Sequence, residues 1–389
     1  VGEVPASGGA AAPRVLLDGH YGVQPVGGAA RWESPPFEPT VRGEHLDARG
    51  ASDDKGNLFM LLAAVRRLAA RGELPVRAAF VVDGEEESGG TSAVDHLAAD
   101  PAPAAAAIIF DVAMLAPGHP VLVTGTRGLV YRRVTLRTGE RDGHSGLYGG
   151  AALNAATALA RLLSDLGAGL PRAPEPLRTG LPAPDPAEVA AWDALPAGAG
   201  VLVEGGLRPA DACAAAEFYR RTTAEPALDV HALESGVPDA VRTAIPVEAS
   251  AMLSLRVAPG QDADALADVL DGMIRAAAPA GAEVTIAPHG TAAPALVDPS
   301  AAPIRAAARA LEGAVGRPPA IVRSGGTLPV VAGLAARGTP VVLTGFGLPD
   351  DAIHAPNERI LVENLTIGTA AAEELLRVLG TGDPAPPLQ

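Results

Sequence analysis

Residues 14–19 read RVLLDG, a short apolar run that ends in polar residues just before His20. Two further runs have the same character, VRAAFVVD at 76–83 and AAIIFDV at 106–112. Between these runs, residues 56–72 and 91–100 carry the apolar spacing of helices. This alternation predicts an α/β fold, in which a sheet is covered by helices and functional residues collect at the carboxyl ends of strands.

The same alternation of predicted strands and helices returns near the C-terminus. The pattern there predicts helices and strands in alternation, over 301–315, 319–323, 327–337, 340–345 and 362–379. The sequence therefore predicts a discontinuous catalytic domain, made of residues 1–128 and 296–389.

The middle of the chain, residues 129–295, has a different pattern. It predicts strands and helices in alternation, over 129–138, 151–166, 250–258, 262–278 and 282–288. Strand-helix-strand repeats of this kind indicate a small sheet with helices on one face, inserted into the first domain. Residues 168–243 are rich in Pro, Ala and Gly, and we expect loops and short helices there.

Composition limits the classes of function. Thirty Lys and Arg stand against 45 Asp and Glu, and this net charge of −15 opposes binding to nucleic acid or to an anionic membrane surface. The single cysteine, Cys213, excludes an internal disulfide and a cysteine-based metal site. No basic start precedes an apolar run and no apolar segment is long enough to span a bilayer, so the expected location is cytoplasmic.

Acidic and imidazole side chains stand next to glycine or at the ends of the predicted strands. They are His20 in LLDGHYG, Asp53 in ASDDKG, Glu86 and Glu87 in DGEEESGG, Asp111 in IIFDV, and His354 in DAIHAPNE. Two imidazoles and three carboxylates are the ligands expected of two zinc ions that share one carboxylate, and a fourth carboxylate remains to act as base. On an extended backbone Glu86 and Glu87 would point apart, so one could bind metal while the other faces water and substrate. The set predicts a hydrolase.

Several motifs now support a specific resemblance. They are GHYGVQPV, WESPPFEPTVR, RGASDDKGN, GEEESGG, DGHSGLYGG, RSGGTLPVV and GFGLPDDAIHAPNER. In this order they resemble the co-catalytic zinc peptidase family of carnosinases, aminoacylases, succinyl-diaminopimelate desuccinylase and glutamate carboxypeptidases, and most of all its dipeptidase-like branch. The resemblance runs from about residue 14 to residue 375. It implies a zinc-peptidase catalytic domain with an inserted ferredoxin-like α+β lid and dimerisation domain.

The resemblance also implies the role of each ligand. It assigns His20 and Asp111 to a first Zn²⁺, Glu87 and His354 to a second, and Asp53 to both, with Mn²⁺ or Co²⁺ as alternative metals. Glu86 becomes the general base.

Further residues match the family's substrate site. The resemblance implies that His144 crosses the interface of a homodimer to stabilise the carbonyl oxyanion in the partner's site. It implies that Arg256 and the turn of Gly325, Gly326 and Thr327 hold a substrate carboxylate. The expected substrate is a dipeptide or an N-acyl amino acid.

The chain departs from the family at Gly22, where the family has an aspartate two residues after the first histidine. That aspartate normally orients the metal ligand, and its loss typically costs about 10- to 100-fold in metal affinity or activity. Asp18 is a candidate substitute because residues two apart on a strand share a face. If neither carboxylate orients His20, a backbone carbonyl or water must do so, and Gly22→Asp tests the point. The first strand also begins earlier than in the family, which suggests a truncated start.

Two hypotheses of function remain. The first is a dizinc amidohydrolase of dipeptides or N-acyl amino acids. The second is a degenerate, catalytically weak relative that serves as a metal- or ligand-binding dimer. Three side chains are also left open: Asp54 is solvated or orienting, Glu358 supports the site or starts a helix, and Arg323 binds substrate or pairs with surface acids.

Overall fold

A computed structural model describes residues 1–237 and 242–381 of the chain. It contains two compact units. Unit 1 consists of Val1–Thr124, Val297–Val322 and the chain from Val330 onward, and unit 2 consists of Gly125–Leu296 and Arg323–Pro329. The sequence assigns Arg323–Pro329 to the catalytic domain, but in the structure this segment belongs to unit 2. Arg127 and Arg256 of unit 2 donate hydrogen bonds to it. The functional division into a catalytic and a dimerisation domain stays a prediction.

The strands in chain order are β1 (Gly2–Val4), β2 (Arg14–His20), β3 (Thr40–Arg42), β4 (His45–Asp47), β5 (Arg77–Asp83), β6 (Ala106–Phe110), β7 (Val121–Thr126), β8 (Gly128–Arg137), β9 (Gly143–His144), β10 (Ala227–Ser235), β11 (Ala244–Ile245), β12 (Glu248–Val257), β13 (Glu283–Ala292), β14 (Ala295–Leu296), β15 (Ala320–Ser324), β16 (Val341–Thr344) and β17 (Arg359–Leu361).

The α-helices are α1 (Lys55–Ala70), α2 (Ser92–Ala99), α3 (Ser145–Tyr148), α4 (Ala155–Asp165), α5 (Pro186–Trp192), α6 (Gly198–Glu204), α7 (Ala263–Ala277), α8 (Ala302–Val315), α9 (Pro329–Ala336) and α10 (Val362–Thr381). Short 3-10 segments lie at Ala29–Arg31, Glu86–Ser88 and Glu175–Arg178, and Arg220–Ala224 forms a π-helical turn. Within the described ranges no helix is long and apolar enough to cross a membrane.

The sheet of unit 1 is mixed, with the strand order β1-β5-β2-β6-β16-β7. β2 pairs in parallel with β5 and β6, and β16 pairs in parallel with β6, whereas β1 and β7 are antiparallel to their neighbours. Leu17, Ile108 and Leu343 in these strands are almost fully buried. Continuous apolar runs of this kind suit strands that are buried on both faces.

Helices cover this sheet with apolar stripes. α1 buries Leu58, Leu61, Val65 and Leu68, whose spacing places them on one face of the helix. α10 packs against α1 and α8. The predicted α/β fold, a mixed sheet covered by helices, is confirmed.

Unit 2 contains an antiparallel sheet in the order β10-β12-β8-β13. Its core includes Val130 and Leu253 from the strands and Leu162 and Leu270 from α4 and α7. α4 follows β8 and α7 follows β12, so the chain order is βαββαβ, which is the ferredoxin-like arrangement. The expected ferredoxin-like α+β fold is confirmed.

One strand of this sheet was not expected from the sequence. β10, Ala227–Ser235, lies in the segment predicted to hold only loops and short helices. Most of its side chains are exposed or half-buried, so its apolar alternation is weak. The strand forms because its backbone pairs with β12 on both sides of an irregularity between Val230 and Ala232.

Candidate metal centre

Three donor residues meet at the carboxyl ends of β2 and β6 in unit 1. His20 is the last residue of β2, Asp111 directly follows β6, and Asp53 lies in the loop before α1. His20 Nε2 lies 3.2 Å from Asp53 Oδ1 and 3.8 Å from Asp111 Oδ1. One donor atom from each residue lies within 4.8 Å of the other two, so the three could hold one metal ion.

A second group of donors forms on the other side of Asp53. His354 Nε2 lies 2.9 Å from Asp53 Oδ2 and 3.3 Å from Glu87 Oε2. The donor atoms of these three residues also lie within 4.8 Å of one another. Asp53 therefore presents one carboxylate oxygen to each group, which is the geometry of a ligand shared by two ions.

The chemistry of these donors fits two divalent cations. Burial raises the pKa of the donor Asp111. Burial also raises the pKa of Asp54, the neighbour of Asp53 in the chain, and the negative charge of Asp111 raises it further. Burial opposes a charged His20, yet the carboxylates of Asp111 and Asp53 raise its pKa to about 12. The cluster thus attracts positive charge, and a metal ion on neutral imidazole would take the place of the proton. Imidazole and carboxylate donors suit Zn²⁺, and they also suit other first-row divalent ions.

Glu86 lies beside the first donor group. Its Oε2 is 3.8 Å from His20 Nε2, and its side chain is about one-third exposed, at 29%. Burial, followed by the charge of Asp111, raises the pKa of Glu86 to about 7. A carboxyl group with a pKa near neutrality can both accept and donate a proton at that pH.

The sequence argument assumed an extended backbone at Glu86 and Glu87, but the structure has a helical turn there. After β5 the chain turns into the 3-10 segment Glu86–Ser88, which ends at Gly89 with a φ of 74°. A 3-10 helix rotates by roughly 120° per residue, so neighbouring side chains still point in different directions. Gln24 Nε2 donates to Glu87 Oε2 at 2.8 Å and to the Glu87 carbonyl at 3.1 Å. The amide of Gln24 thereby holds the Glu87 carboxylate close to Asp53 and His354, the other two residues of the second donor group.

The structure identifies what orients His20. Its Nδ1 lies 2.9 Å from the carbonyl oxygen of Gly22, so a backbone carbonyl takes the role that the sequence assigned to a carboxylate. The proposal that Asp18 takes this role is wrong, because the Nδ1 of His20 bonds to the Gly22 carbonyl instead, and Asp18 Oδ2 is buried without a hydrogen-bond partner in the described part of the chain. A side chain at Gly22 also lacks room, since its Cβ would lie 2.5 Å from the carbonyl oxygen of Gly84.

Asp54 and Glu358, whose roles the sequence left undecided, both bond to the backbone of donor residues. Asp54 is fully buried rather than solvated, and its Oδ2 accepts from the backbone N–H of His20 at 3.1 Å. Glu358 is also fully buried and accepts from the backbone N–H of Asp53 at 3.0 Å. Arg49 Nη1 donates to Glu358 at 2.7 Å. Sequence reasoning missed Arg49 and Gln24, although both stand in or beside the quoted motifs, because their partners are distant in the chain.

Unit 2 brings together part of the expected substrate site. Arg256 lies on β12, and its Nη1 donates to Thr327 Oγ1 at 2.9 Å. Arg127 Nε donates to the carbonyl of Gly325 at 3.0 Å, and the backbone N–H of Arg127 donates to the carbonyl of Gly326. Arg127 was not expected from the sequence. It places a second guanidinium at the same turn, and burial followed by the charge of Arg256 lowers its pKa to about 10.

The remaining expected residue of unit 2 is His144, at the end of β9. Its imidazole is exposed, and its Nδ1 accepts from the backbone N–H of Gly146 at 3.0 Å. Two roles were left open for Arg323, and the structure supports pairing with an acid, because its Nη2 lies 2.6 Å from Glu188 Oε2.

Known proteins resemble this chain in sequence and in fold. The chain is 32% identical over 388 residues to the cysteinylglycine-S-conjugate dipeptidase of Corynebacterium striatum, which covers 94% of this chain and 81% of the relative. It is 28% identical over 372 residues to a Cys-Gly metallodipeptidase of Candida albicans, covering 91% of this chain and 76% of the relative. Among solved structures, an M20 family metallo-carboxypeptidase of Sulfolobus solfataricus has a similar fold, with a TM-score of 0.87 at 24% identity, over 98% of this chain and 87% of that one.

These comparisons support the hydrolase hypothesis and not the catalytically weak alternative. The model of Peptidase family M20/M25/M40 matches residues 16–378. Since that match covers most of the chain, the protein belongs to this family and is a metallopeptidase that hydrolyses peptide bonds.

Proposed function

We propose that the protein is a dizinc dipeptidase that cleaves the amide bond of a dipeptide bearing a free carboxylate. The observation that carries the proposal is the pair of donor groups that share Asp53. Relatives named as a cysteinylglycine-S-conjugate dipeptidase and a Cys-Gly metallodipeptidase make a small dipeptide the first substrate to test. N-acyl amino acids, which contain the same amide and carboxylate, are the second.

The ligand roles follow the two groups. His20 and Asp111 would hold one ion, Glu87 and His354 the other, and Asp53 both. Zinc is proposed because it takes nitrogen and oxygen donors at low coordination number, and Mn²⁺ and Co²⁺ are the alternatives. Two ions held there would supply Lewis acidity and lower the pKa of water.

Glu86 is the proposed general base and acid. Its carboxylate takes a proton from the water that attacks the amide carbon. When the C–N bond breaks, the same carboxyl gives that proton to the leaving nitrogen. Water thus contributes its hydroxyl to the new carboxylate and its proton to the new amine, and no covalent bond to the enzyme forms.

The substrate carboxylate is proposed to bind at Arg256 and the turn of Gly325, Gly326 and Thr327. The Arg256 contact with Thr327 supports this role, because it fixes the guanidinium beside the backbone of the turn. A planar guanidinium can grip a carboxylate with two parallel hydrogen bonds.

A homodimer is the proposed assembly, with His144 stabilising the oxyanion in the partner subunit's site. The exposure of His144 supports this proposal, because its ring is free to meet another chain. The cytoplasmic location and the absence of nucleic-acid and membrane partners stay predictions of the sequence.

The test combines a substrate panel with a variant of the base. Zinc-loaded protein is expected to hydrolyse Cys-Gly and other dipeptides faster than their C-terminal amides. Glu86→Gln should keep two ions per chain by elemental analysis and lose at least about 100-fold in turnover. A wild type that cleaves none of the panel, or a Glu86→Gln enzyme at full rate, would refute the proposal.

The dimer needs its own test. His144→Ala and Glu86→Gln proteins are each expected to be inactive, and mixing them under subunit exchange should restore part of the activity, since one site then has both groups intact. Proven exchange without recovery would exclude a shared site.

A further inference from the structure

We propose that the buried ion pair of Arg49 and Glu358 is a positioning clamp that fixes Asp53 and His354 relative to each other and thereby sets the affinity of the centre for both metal ions. The inference rests on the proposed ligand role of Asp53. It adds two residues that touch neither the reacting atoms nor the metal.

Glu358 forms the acceptor side of this clamp. Its Oε1 accepts from the backbone N–H groups of Ser52 and Asp53, both at 3.0 Å. Its Oε2 accepts from Arg49 Nη1 at 2.7 Å and from the backbone N–H of Gly50 at 2.8 Å. Four donors thus occupy the acceptor positions of one carboxylate. The loop that carries Asp53 is therefore held at three of its backbone groups by one side chain.

Arg49 forms the donor side. Its Nη2 donates at 3.0 Å to the carbonyl of Ala355, the residue next to His354. Its guanidinium carbon lies 5.2 Å from the centre of the Trp32 ring, a cation–π distance that fixes the plane of the side chain. The pair therefore joins the loop of Asp53 to the loop of His354, although the two residues are 301 positions apart.

Stability alone does not account for this arrangement. The side chains of Arg49 and Glu358 are 2% and 0% exposed. Well-packed apolar residues often replace a buried ion pair without loss of stability, so such a pair is weak evidence for a stabilising role. What an apolar pair cannot provide is a bond to the backbone of Asp53 and to the carbonyl beside His354. Those contacts determine the 2.9 Å approach of His354 Nε2 to Asp53 Oδ2.

The chain offers a matched control elsewhere in unit 1. Glu373 on α10 is also buried and accepts from Arg71 Nη2 at 2.6 Å. In the part of the chain that the structure describes, its ion-pair partners are the side chains of Arg67, Arg71 and Arg377, and none of these belongs to the two donor groups. A variant of Glu373 therefore reports what the loss of a buried carboxylate does to the fold without a direct effect on the metal centre.

The experiment compares Glu358→Gln with Glu373→Gln in the full chain. Each protein is stripped of metal, and its dissociation constants for Zn²⁺ are measured by competition with a coloured chelator. Denaturant unfolding of the metal-free proteins is measured in parallel. Glutamine offers one acceptor oxygen where glutamate offers two, so at least two of the four donors lose their partner. We expect Glu358→Gln to lower the affinity for both Zn²⁺ ions by about 10- to 100-fold. Glu373→Gln should change the affinity for either ion by less than about twofold.

A second pair of variants covers the case in which Glu358→Gln does not fold. Lysine at position 49 keeps the charge but cannot reach both Glu358 and the Ala355 carbonyl with a planar fork. Arg49→Lys should therefore weaken zinc binding by at least about threefold, with Arg71→Lys as its control. Equal affinities in Glu358→Gln and wild type, or equal losses in each variant and its control, would overturn the clamp. A wild type that binds two zinc ions but cleaves no substrate would refute the proposed function and leave the clamp standing.

Discussion

Adding a side chain at Gly22 is expected to damage the metal centre, although the family pattern alone suggests that Gly22→Asp would improve it. A Cβ at this position would lie 2.5 Å from the oxygen and 2.9 Å from the carbon of the Gly84 carbonyl. Both are backbone atoms at the end of β5 and cannot rotate away. Real Cβ atoms do not approach other atoms so closely, so the loop must shift.

The cost has two parts. Overpacking of a fitted site typically costs about 1–3 kcal/mol, which is about 5- to 150-fold in the unfolding equilibrium. The shift also moves the Gly22 carbonyl, which lies 2.9 Å from His20 Nδ1. Loss of an orienting partner typically costs about 10- to 100-fold in metal affinity. Both Gly22→Ala and Gly22→Asp should therefore unfold at lower denaturant concentration and bind zinc more weakly.

The assay is denaturant unfolding of the metal-free protein together with zinc affinity by chelator competition. Gly8→Ala serves as the control, because a Cβ there meets no atom within 4 Å. The control should match wild type in both measurements. If Gly22→Asp binds zinc more tightly than wild type, the carbonyl is not what orients His20 and the steric argument is wrong.

Three further predictions follow from named contacts. Asp53→Ala should lose both ions, whereas Glu87→Ala should keep one, as elemental analysis after dialysis would show; an Asp53→Ala protein with one tight ion would contradict the shared ligand. Arg127→Met should raise KM about tenfold for a dipeptide but not for its C-terminal amide, since a hydrogen bond from a charged group is worth about 1.5–3 kcal/mol; equal changes for both would rule out a role at the carboxylate. Asp351 is fully buried, and its Oδ2 accepts from Ser52 Oγ and from the backbone N–H of Leu348, both at 2.7 Å. Burial raises the pKa of Asp351 above its ordinary value of 3.8, so its contribution to stability is full below that value and is lost as pH rises through the folded-state value. Asp351→Asn should remove this fall, and an unchanged slope of unfolding free energy against pH above about 4 would disprove it.

The sequence predicts most of the fold because its central strands are continuous apolar runs. β2, β5 and β6 are recognisable from their own residues, and so is the position of His20 and Asp111 at their ends. β10 is not recognisable, because its half-exposed residues carry no strong pattern and the strand depends on backbone pairing with β12.

The donor residues could be identified from their motifs, but their supports could not. The carbonyl of Gly22 has no signature in the sequence, since any residue has a carbonyl and only the turn after β2 aims this one at His20. Arg49 and Glu358 are 309 positions apart, and only the folded chain shows that they meet. The direction of Glu86 and Glu87 also depended on a local helical turn where the sequence suggested an extended strand.

The discontinuity of unit 1 has a consequence for how the protein is made. His20, Asp53 and Asp111 all lie in its first segment, whereas His354 lies in its last, with the whole of unit 2 between them. A ribosome therefore releases every donor of the first group long before it releases the last donor of the second. Glu358, which bonds to the loop of Asp53, emerges later still. The nascent chain can gain its complete metal centre only after the whole of unit 2 and the loop of His354 and Glu358 have been synthesised.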